Sequence, residues 1–276
     1  MNINSLYIVS TPIGHLADMT LRAIETLKSV DCIACEDTRH SRPLLQHYGI
    51  DKPLIAFHEH NEREQVETLI KRIERGESIA YISDAGTPLI SDPGFHLVQL
   101  AKERGIKVVP IPGVSALITA LSVSGLATDR FTFEGFLPAK SAARLTRLRA
   151  LINEPRTLIF YEAPHRILDL LNALQQVFGE ERKIVLAREL TKLFETILSG
   201  KISEIIARVN QDPNQERGEM VVLVAGNANP ISSEWVSADI ILNLLLKEMS
   251  VKKAAEITAK ITGKRKNELY QRALNL

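Results

Sequence analysis

Ser78-Ile79-Ala80-Tyr81-Ile82-Ser83-Asp84-Ala85-Gly86-Thr87-Pro88 passes from an apolar run directly into a loop of glycine, proline and polar residues. Residues 78–83 read as a buried strand. The loop runs on to Gly94, and a helical pattern occupies residues 94–104. The same order of strand, loop and helix recurs upstream. A strand over 6–10 precedes a helix over 20–30, with Leu21, Ile24 and Leu27 on one stripe. A strand over 32–35 precedes a helix over 41–48, and a strand over 54–57 precedes a helix that begins at Asn61. There Glu64, three residues on, resembles a capping box, and Val66, Leu69, Ile70 and Ile73 keep the helical period until Gly76. A strand over 107–109 closes the run. Such alternation implies a mainly parallel sheet covered on both faces.

Pro110, Pro112 and Gly113 punctuate the chain and mark a boundary between α/β domains, residues 1–112 and 113–228. The second domain is expected to have strands at 131–134, 157–161, 183–187 and 220–225, with more antiparallel pairing. An apolar helix over 114–123 leads into it, and helices over 142–152, 164–178 and 202–209 lie between its strands. Residues 227–230 read as a linker. Residues 229–276 read as a helical module built on Leu242, Leu245, Leu246, Ile257, Ile261, Leu269 and Leu274.

The 276 residues are 45% apolar and 24% charged, which suits a globular chain with a sizeable core. Residues 1–10 lack the features of a signal peptide, and no apolar run reaches membrane-spanning length, so a cytoplasmic location is expected. Lys plus Arg is 34 against 33 for Asp plus Glu, so any nucleic-acid surface must come from local clustering. Cys32 and Cys35 lie three apart on a strand and should point to opposite faces, which argues against a shared metal or a disulfide. His58 and His60 come without an assured third ligand, and no metal is expected.

In an open α/β sheet, ligands bind beyond the carboxyl ends of the strands. Four such segments are rich in glycine, proline or polar residues: Thr11-Pro12-Ile13-Gly14, Glu36-Asp37-Thr38-Arg39, His58-Glu59-His60-Asn61 and Asp84-Ala85-Gly86-Thr87-Pro88. One alone would be a turn; four at one sheet edge point to a ligand site. No G-x-G-x-x-G follows the first strand and no P-loop occurs, which disfavours a nicotinamide, an ATP or a Rossmann-type methyltransferase site.

Seven strings occur in register: Ser10-Thr11-Pro12-Ile13-Gly14, Ala34-Cys35-Glu36-Asp37-Thr38-Arg39, Phe57-His58-Glu59-His60-Asn61-Glu62, Ser83-Asp84-Ala85-Gly86-Thr87-Pro88, Ile111-Pro112-Gly113-Val114-Ser115-Ala116, Phe160-Tyr161-Glu162-Ala163-Pro164-His165-Arg166 and Ala187-Arg188-Glu189-Leu190-Thr191-Lys192. Together they resemble the small-subunit ribosomal RNA cytidine 2′-O-methyltransferases of the tetrapyrrole methylase superfamily, over residues 5–226. His15 departs from the Asn expected there. The resemblance implies a two-domain class III methyltransferase fold with S-adenosyl-L-methionine in the cleft between domains, plus the small helical tail. It also implies a homodimer acting at a cytidine of the decoding region of 16S ribosomal RNA, with free RNA and the assembled small subunit both open as the form of the substrate. By the same resemblance Pro12, Gly86, Thr87, Pro88, Ser115, Ala116, Tyr161, Ala187 and Met220 fall at or near cofactor-lining positions.

Methyl transfer from a sulfonium needs chiefly positioning of the ribose hydroxyl, to which a general base adds about 10²–10⁴-fold. Asp37, Glu189 and Glu195 are candidate proton acceptors. Lys192 qualifies only with a depressed pKa. Each has an ion pair as its bland alternative. Arg39 and Arg166 suit phosphate better than proton transfer. Lys140, Arg144, Arg147 and Arg149 occur in an acid-free stretch over 138–150, with Arg144 and Arg147 on one expected RNA-facing helix face. The tail carries +5 over residues 247–272, as an RNA surface, a cap or a dimerisation element. The competing readings are a tetrapyrrole or protein methyltransferase of the same superfamily, and a non-enzymatic ribosome-assembly binding protein.

Overall fold

The computed structural model describes residues 4–58, 61–228 and 233–276, with side chains throughout except at 233–237. Glu59, His60, Asn229 and Pro230, all parts of the sequence reading, lie outside the described residues. Up to Leu148, together with Thr157–Ala225, the chain forms one compact unit; Arg149–Arg156 with Gly226–Leu276 form another.

The first unit opens as β1 (Ser5–Val9), α1 (Leu21–Ser29), β2 (Cys32–Cys35), α2 (Thr38–His47), β3 (Leu54–Ala56), α3 (Glu62–Glu74), β4 (Ile79–Ile82), α4 (Phe95–Glu103) and β5 (Lys107–Ile111). These strands form a wholly parallel sheet in the order β3-β2-β4-β1-β5. Alternate residues of each strand feed opposite cores. Val9, Ile33, Cys35 and Ile82 pack with Ala23 and Leu27 of α1 and Leu45 of α2. Leu6, Cys32, Ala34 and Tyr81 pack with Leu69 and Ile73 of α3 and Leu97 of α4. The two cysteines thus lie in different cores, and burial pushes the Cys32 thiol up to about 11.

Local details depart from the sequence reading in three places. Leu21 is 79% exposed, while Leu27 of the expected stripe is buried with Ala23 and Thr26 and Ile24 packs partly against the same core. Helix α2 begins at Thr38, three residues early, because the Asp37 carboxylate accepts from Arg39 N. Asn61 precedes α3 without capping it; its side chain turns back, accepting from His58 N at 2.8 Å and donating to Ala56 O at 3.0 Å.

The chain continues through α5 (Ala116–Val123), β6 (Phe131–Phe136), α6 (Ser141–Ala150), β7 (Thr157–Glu162), α7 (Ile167–Phe178), β8 (Lys183–Arg188), β9 (Thr196–Lys201), α8 (Ile202–Gln211) and β10 (Met220–Val224). The second sheet has the order β6-β7-β10-β8-β9, parallel only between β6 and β7. Ile159, Val185, Val221 and Leu223 pack with Leu117 and Leu121 of α5. Strand β9 is absent from the sequence reading. It is an edge strand with partly exposed residues, and its Ser199-Gly200 pair reads as a turn when met in isolation.

In the other unit α9 (Ser233–Leu245), α10 (Val251–Thr262) and α11 (Lys266–Ala273) share a core of Ala238, Leu242, Ala254, Ala255, Leu269 and Ala273. Ile261 and Leu274, expected in that core, are 63% and 56% exposed, since alanines fill the close helix contacts. Asn227 N donates to Glu154 O at 2.7 Å, which joins the 149–156 segment to the start of the tail. Among the described residues no helix is long and apolar enough to cross a membrane.

Candidate active site

Strands β1 and β4 are neighbours, yet the chain leaves them toward opposite faces, since α1 packs in one core and α4 in the other. That reversal opens a crevice at the carboxyl ends of a parallel sheet. The two loops are tied there. Thr11 N donates to Gly86 O at 2.9 Å, and Gly86 N donates to Thr11 O at 3.0 Å. The Ser10 hydroxyl donates to the Thr87 hydroxyl at 3.2 Å, which in turn donates to Val114 O at 2.9 Å.

A cavity of about 350 Å³ opens beside this tie. The loop after β4 forms one wall, with Asp84, Gly86, Thr87, Ile90, Ser91 and Asp92. The second sheet and its loops form the other, with Phe136, Tyr161, Glu162, Leu190, Glu219, Met220 and Val221. Ser115 and Ala116, at the start of α5, close one end. The Tyr161 hydroxyl accepts from Leu117 N at 3.1 Å, which fixes that ring against the first turn of α5.

Both walls hold backbone that side-chain-bearing residues rarely adopt. Five non-glycine residues have positive φ among the described residues, and four of them sit here: Leu89 and Ser91 in one wall, Glu189 and Thr191 behind the other. Such conformations persist where surrounding structure over-determines them, commonly at ligand sites. The second pair is pinned from the β1 loop. His15 N donates to the Thr191 hydroxyl at 3.1 Å, and a side chain on Gly14 would overlap Lys192 and Thr191.

Of the residues marked for a cofactor, Gly86, Thr87, Ser115, Ala116, Tyr161 and Met220 line the cavity. Pro12, Pro88 and Ala187 are buried beside it. Gly86 has φ +80°, and an added Cβ would lie 3.3 Å from Ile13 Cγ2. Its backbone alone therefore demands glycine, whatever the ligand.

None of Asp37, Glu189, Lys192 and Glu195 lines the cavity. Arg39 grips Asp37 with Nε at 3.1 Å and Nη2 at 2.8 Å, and holds that carboxyl down at about 2. Burial alone would depress the Lys192 ammonium. Hydrogen bonds to Glu189 and Glu219, both at 2.9 Å, outweigh it and raise the pKa. The depressed lysine that proton acceptance required is thus corrected: Lys192 is a held cation. Burial raises Glu189 less than Lys192 and the Glu219 amide lower it, so its pKa falls. Glu195 accepts from Thr191 N at 2.7 Å and braces the loop.

The acids that do line the cavity are Asp84, Asp92, Glu162 and Glu219. Burial, together with Glu36 and Asp84, pushes Asp92 up to about 7. Burial also raises Glu162, whose Oε2 is buried without a hydrogen-bond partner. Asp92 escaped the sequence reading although it stands in the longest loop that reading singled out, in the turn-forming triplet Asp92-Pro93-Gly94. Its signal was the one carboxylate in the far half of that loop.

The expected basic surface is corrected in part. Arg144 and Leu148, four apart, face inward: Arg144 is 4% exposed and 3.4 Å from Asp169. Arg147 stays outside but is paired with Glu134 at 2.6 Å. Arg166 donates to Leu137 O at 2.6 Å and lies 3.1 Å from Glu162. Lys140 is exposed.

The family model described as Tetrapyrrole (Corrin/Porphyrin) Methylases matches residues 5–206. This chain belongs to the tetrapyrrole methylases. A second model, the RsmI C-terminal HTH domain, matches residues 233–276. The chain is 58% identical over 276 residues to the ribosomal RNA small subunit methyltransferase I of Pseudomonas aeruginosa, covering 99% of this chain and 98% of that protein. It is 55% identical to the protein of the same name from Haemophilus influenzae, covering 96% of this chain and 95% of that protein. The structure of the cobalt precorrin-4 methyltransferase CbiF superposes with a TM-score of 0.60 at 16% identity, over 80% of this chain and 95% of that one. This tetrapyrrole methylase therefore has the two-sheet class III methyltransferase fold that its sequence motifs implied, with a helical tail.

Proposed function

We propose that this protein transfers a methyl group from S-adenosyl-L-methionine to the ribose 2′-hydroxyl of a cytidine in the decoding region of 16S ribosomal RNA. The observation that carries the cofactor is the cavity lining, which holds four carboxyl side chains and no basic one among the described residues. Such a wall suits a ligand bearing a sulfonium and an ammonium. Ile13, Leu190, Met220 and Val221 supply apolar surface for an adenine, and the buried, unpartnered Glu162 Oε2 awaits a donor. S-adenosylmethionine, when bound, supplies a methyl group already activated for displacement. The chain's part is then to orient the hydroxyl and to take its proton. Asp92 suits that role, because a carboxyl poised near neutrality accepts a proton readily and lies in the cavity wall. The names of the close relatives support ribosomal RNA as the substrate, and exposed Lys140 and the basic tail fit a phosphate-rich partner. The protein acts in the cytoplasm as a homodimer, on an assembled small subunit.

A tritium-methyl assay with free 16S RNA, small subunits and whole ribosomes tests this reading. A 2′-O-methyl group blocks alkaline cleavage at its phosphodiester. Label is expected in an alkali-stable dinucleotide beginning with cytidine, after incubation with small subunits. Label in alkali-labile mononucleotides would place the methyl group on a base and overturn the ribose assignment.

A further inference from the structure

Phe136 is 54% exposed yet lines the cavity; Ile90, in the facing loop, is also open at 39%, whereas Ile13, Leu190, Met220 and Val221 are each below 8%. An aromatic left open to water beside a buried floor stands at the rim, where a second ligand would enter. Its placement is built in. The register of β6 on β7 shifts between Phe133 and Gly135, and Gly135 has φ +63°. Such a bulge re-aims the side chains that follow it. Space at Gly135 is close, since an added Cβ would sit 3.4 Å from the Ser91 hydroxyl in the opposite wall. The ring of Phe136 meets Tyr161 edge-on with centroids 5.7 Å apart, which leaves a face of Phe136 open. The next residue, Leu137, is buried, and Arg166 donates to its carbonyl at 2.6 Å, so the strand end is held. Exposed Lys140 follows within four residues.

We propose that Phe136 is the stacking platform for the target nucleobase, held at the cavity rim with Lys140 beside it for a neighbouring phosphate. This rests on the RNA-methyltransferase reading above. Bringing a ribose hydroxyl into the cavity requires the nucleotide to leave its own stack, and a flipped base regains that energy on an aromatic face. The cofactor's adenine is the rival occupant. It is disfavoured because an adenine enclosed by the apolar floor would leave Phe136 still facing water.

Two measurements on the full-length protein test the assignment. In the first, saturation-transfer NMR follows cytidine 5′-monophosphate added to protein saturated with S-adenosylhomocysteine. Enhancement of cytosine H5 and H6 is expected in wild type, loss in Phe136→Ala and recovery in Phe136→Trp. In the second, single-turnover methylation of small subunits is measured as a function of subunit concentration. Phe136→Ala should lower the rate constant divided by half-saturating concentration by roughly 5–150-fold, the span of base–aromatic stacking on alanine substitution. Cofactor affinity by calorimetry should stay within about twofold, and Phe136→Trp should restore most of the loss. Unchanged cytosine enhancement in Phe136→Ala overturns the proposal. So does a Phe136→Trp variant as impaired as Phe136→Ala, which would mark a packing role, and so does a matching loss of cofactor affinity, which would give the ring to the adenine. A wild-type protein that methylates no RNA removes the functional reading itself, and the cytosine signal then decides the platform separately.

Discussion

Two acidic loops flank the cavity, and they treat their carboxylates in opposite ways. The loop after β4 carries Asp84 and Asp92, to neither of which a cation is paired among the described residues, and burial with like charges leaves Asp92 at about 7. The loop after β8 carries Glu189 and Glu195, and there Lys192 and backbone amides hold the charges in place and lower Glu189. Both loops also hold non-glycine residues at positive φ. The shared strain thus supports two tasks. One loop keeps an acid able to exchange a proton, and the other is a brace whose charges are spent on one another. An acid near the site is informative only with its neighbours.

The sharpest test of that contrast is Asp92→Asn. Single-turnover methyl transfer at saturating cofactor should fall by about 10²–10⁴-fold. In wild type the rate should rise with pH and level off above about 7, where Asp92 is ionised. A variant within a few-fold of wild type at pH 8 would erase the distinction between the loops.

The same residue should leave a mark on stability. Its folded pKa lies above the ordinary 3.8, so the folded state binds the extra proton between about pH 4 and 7. Stability tied to it is present below that window and is lost as pH rises through it. Asp92→Asn should therefore melt higher than wild type at pH 8, by about 2–4 °C for each kcal/mol relieved, with a smaller gap at pH 5. Equal gaps at both pH values would show that Asp92 is ordinary.

Across the cavity, Lys192→Met should cost about 0.5–1 kcal/mol in urea unfolding at pH 7, since the pair is only partly shielded. Glu189 is lowered in the folded state, so its stabilisation is present above about pH 4.5 and is lost as pH falls through its folded value. The variant should flatten that acid limb. Methyl transfer should drop less than with Asp92→Asn, because Lys192 reaches the cavity only through Glu219.

The smallest effect belongs to Asp37→Asn, where Arg39 is exposed and the carboxylate only partly buried. Asn still caps α2, and transfer rates should remain within about twofold of wild type, as surface pairs contribute little. A large loss would bring Asp37 back as a proton acceptor and weaken the case for the β4 loop.

Much of this molecule was legible from local pattern. Apolar runs ending in polar, glycine-rich loops determine β1 to β5 and their parallel order of travel, because a strand buried on both faces tolerates few other residues. Cys32 and Cys35 had to face opposite cores because the strand period is two. The seven motif strings determine the family, and six of the nine expected cofactor positions line one cavity. Tertiary structure decided what pairing and burial do to individual side chains. Helix phase is set by caps and packing, so Leu21 lies outside and Arg144 inside. Edge strand β9 exists only because β8 offers it a partner. Whether a carboxylate is free or held depends on residues distant in sequence: Glu219 reaches Lys192 across 27 positions, and Glu36 burdens Asp92 from another strand end. Electrostatic interaction depends on distance and burial, which one-dimensional order does not carry.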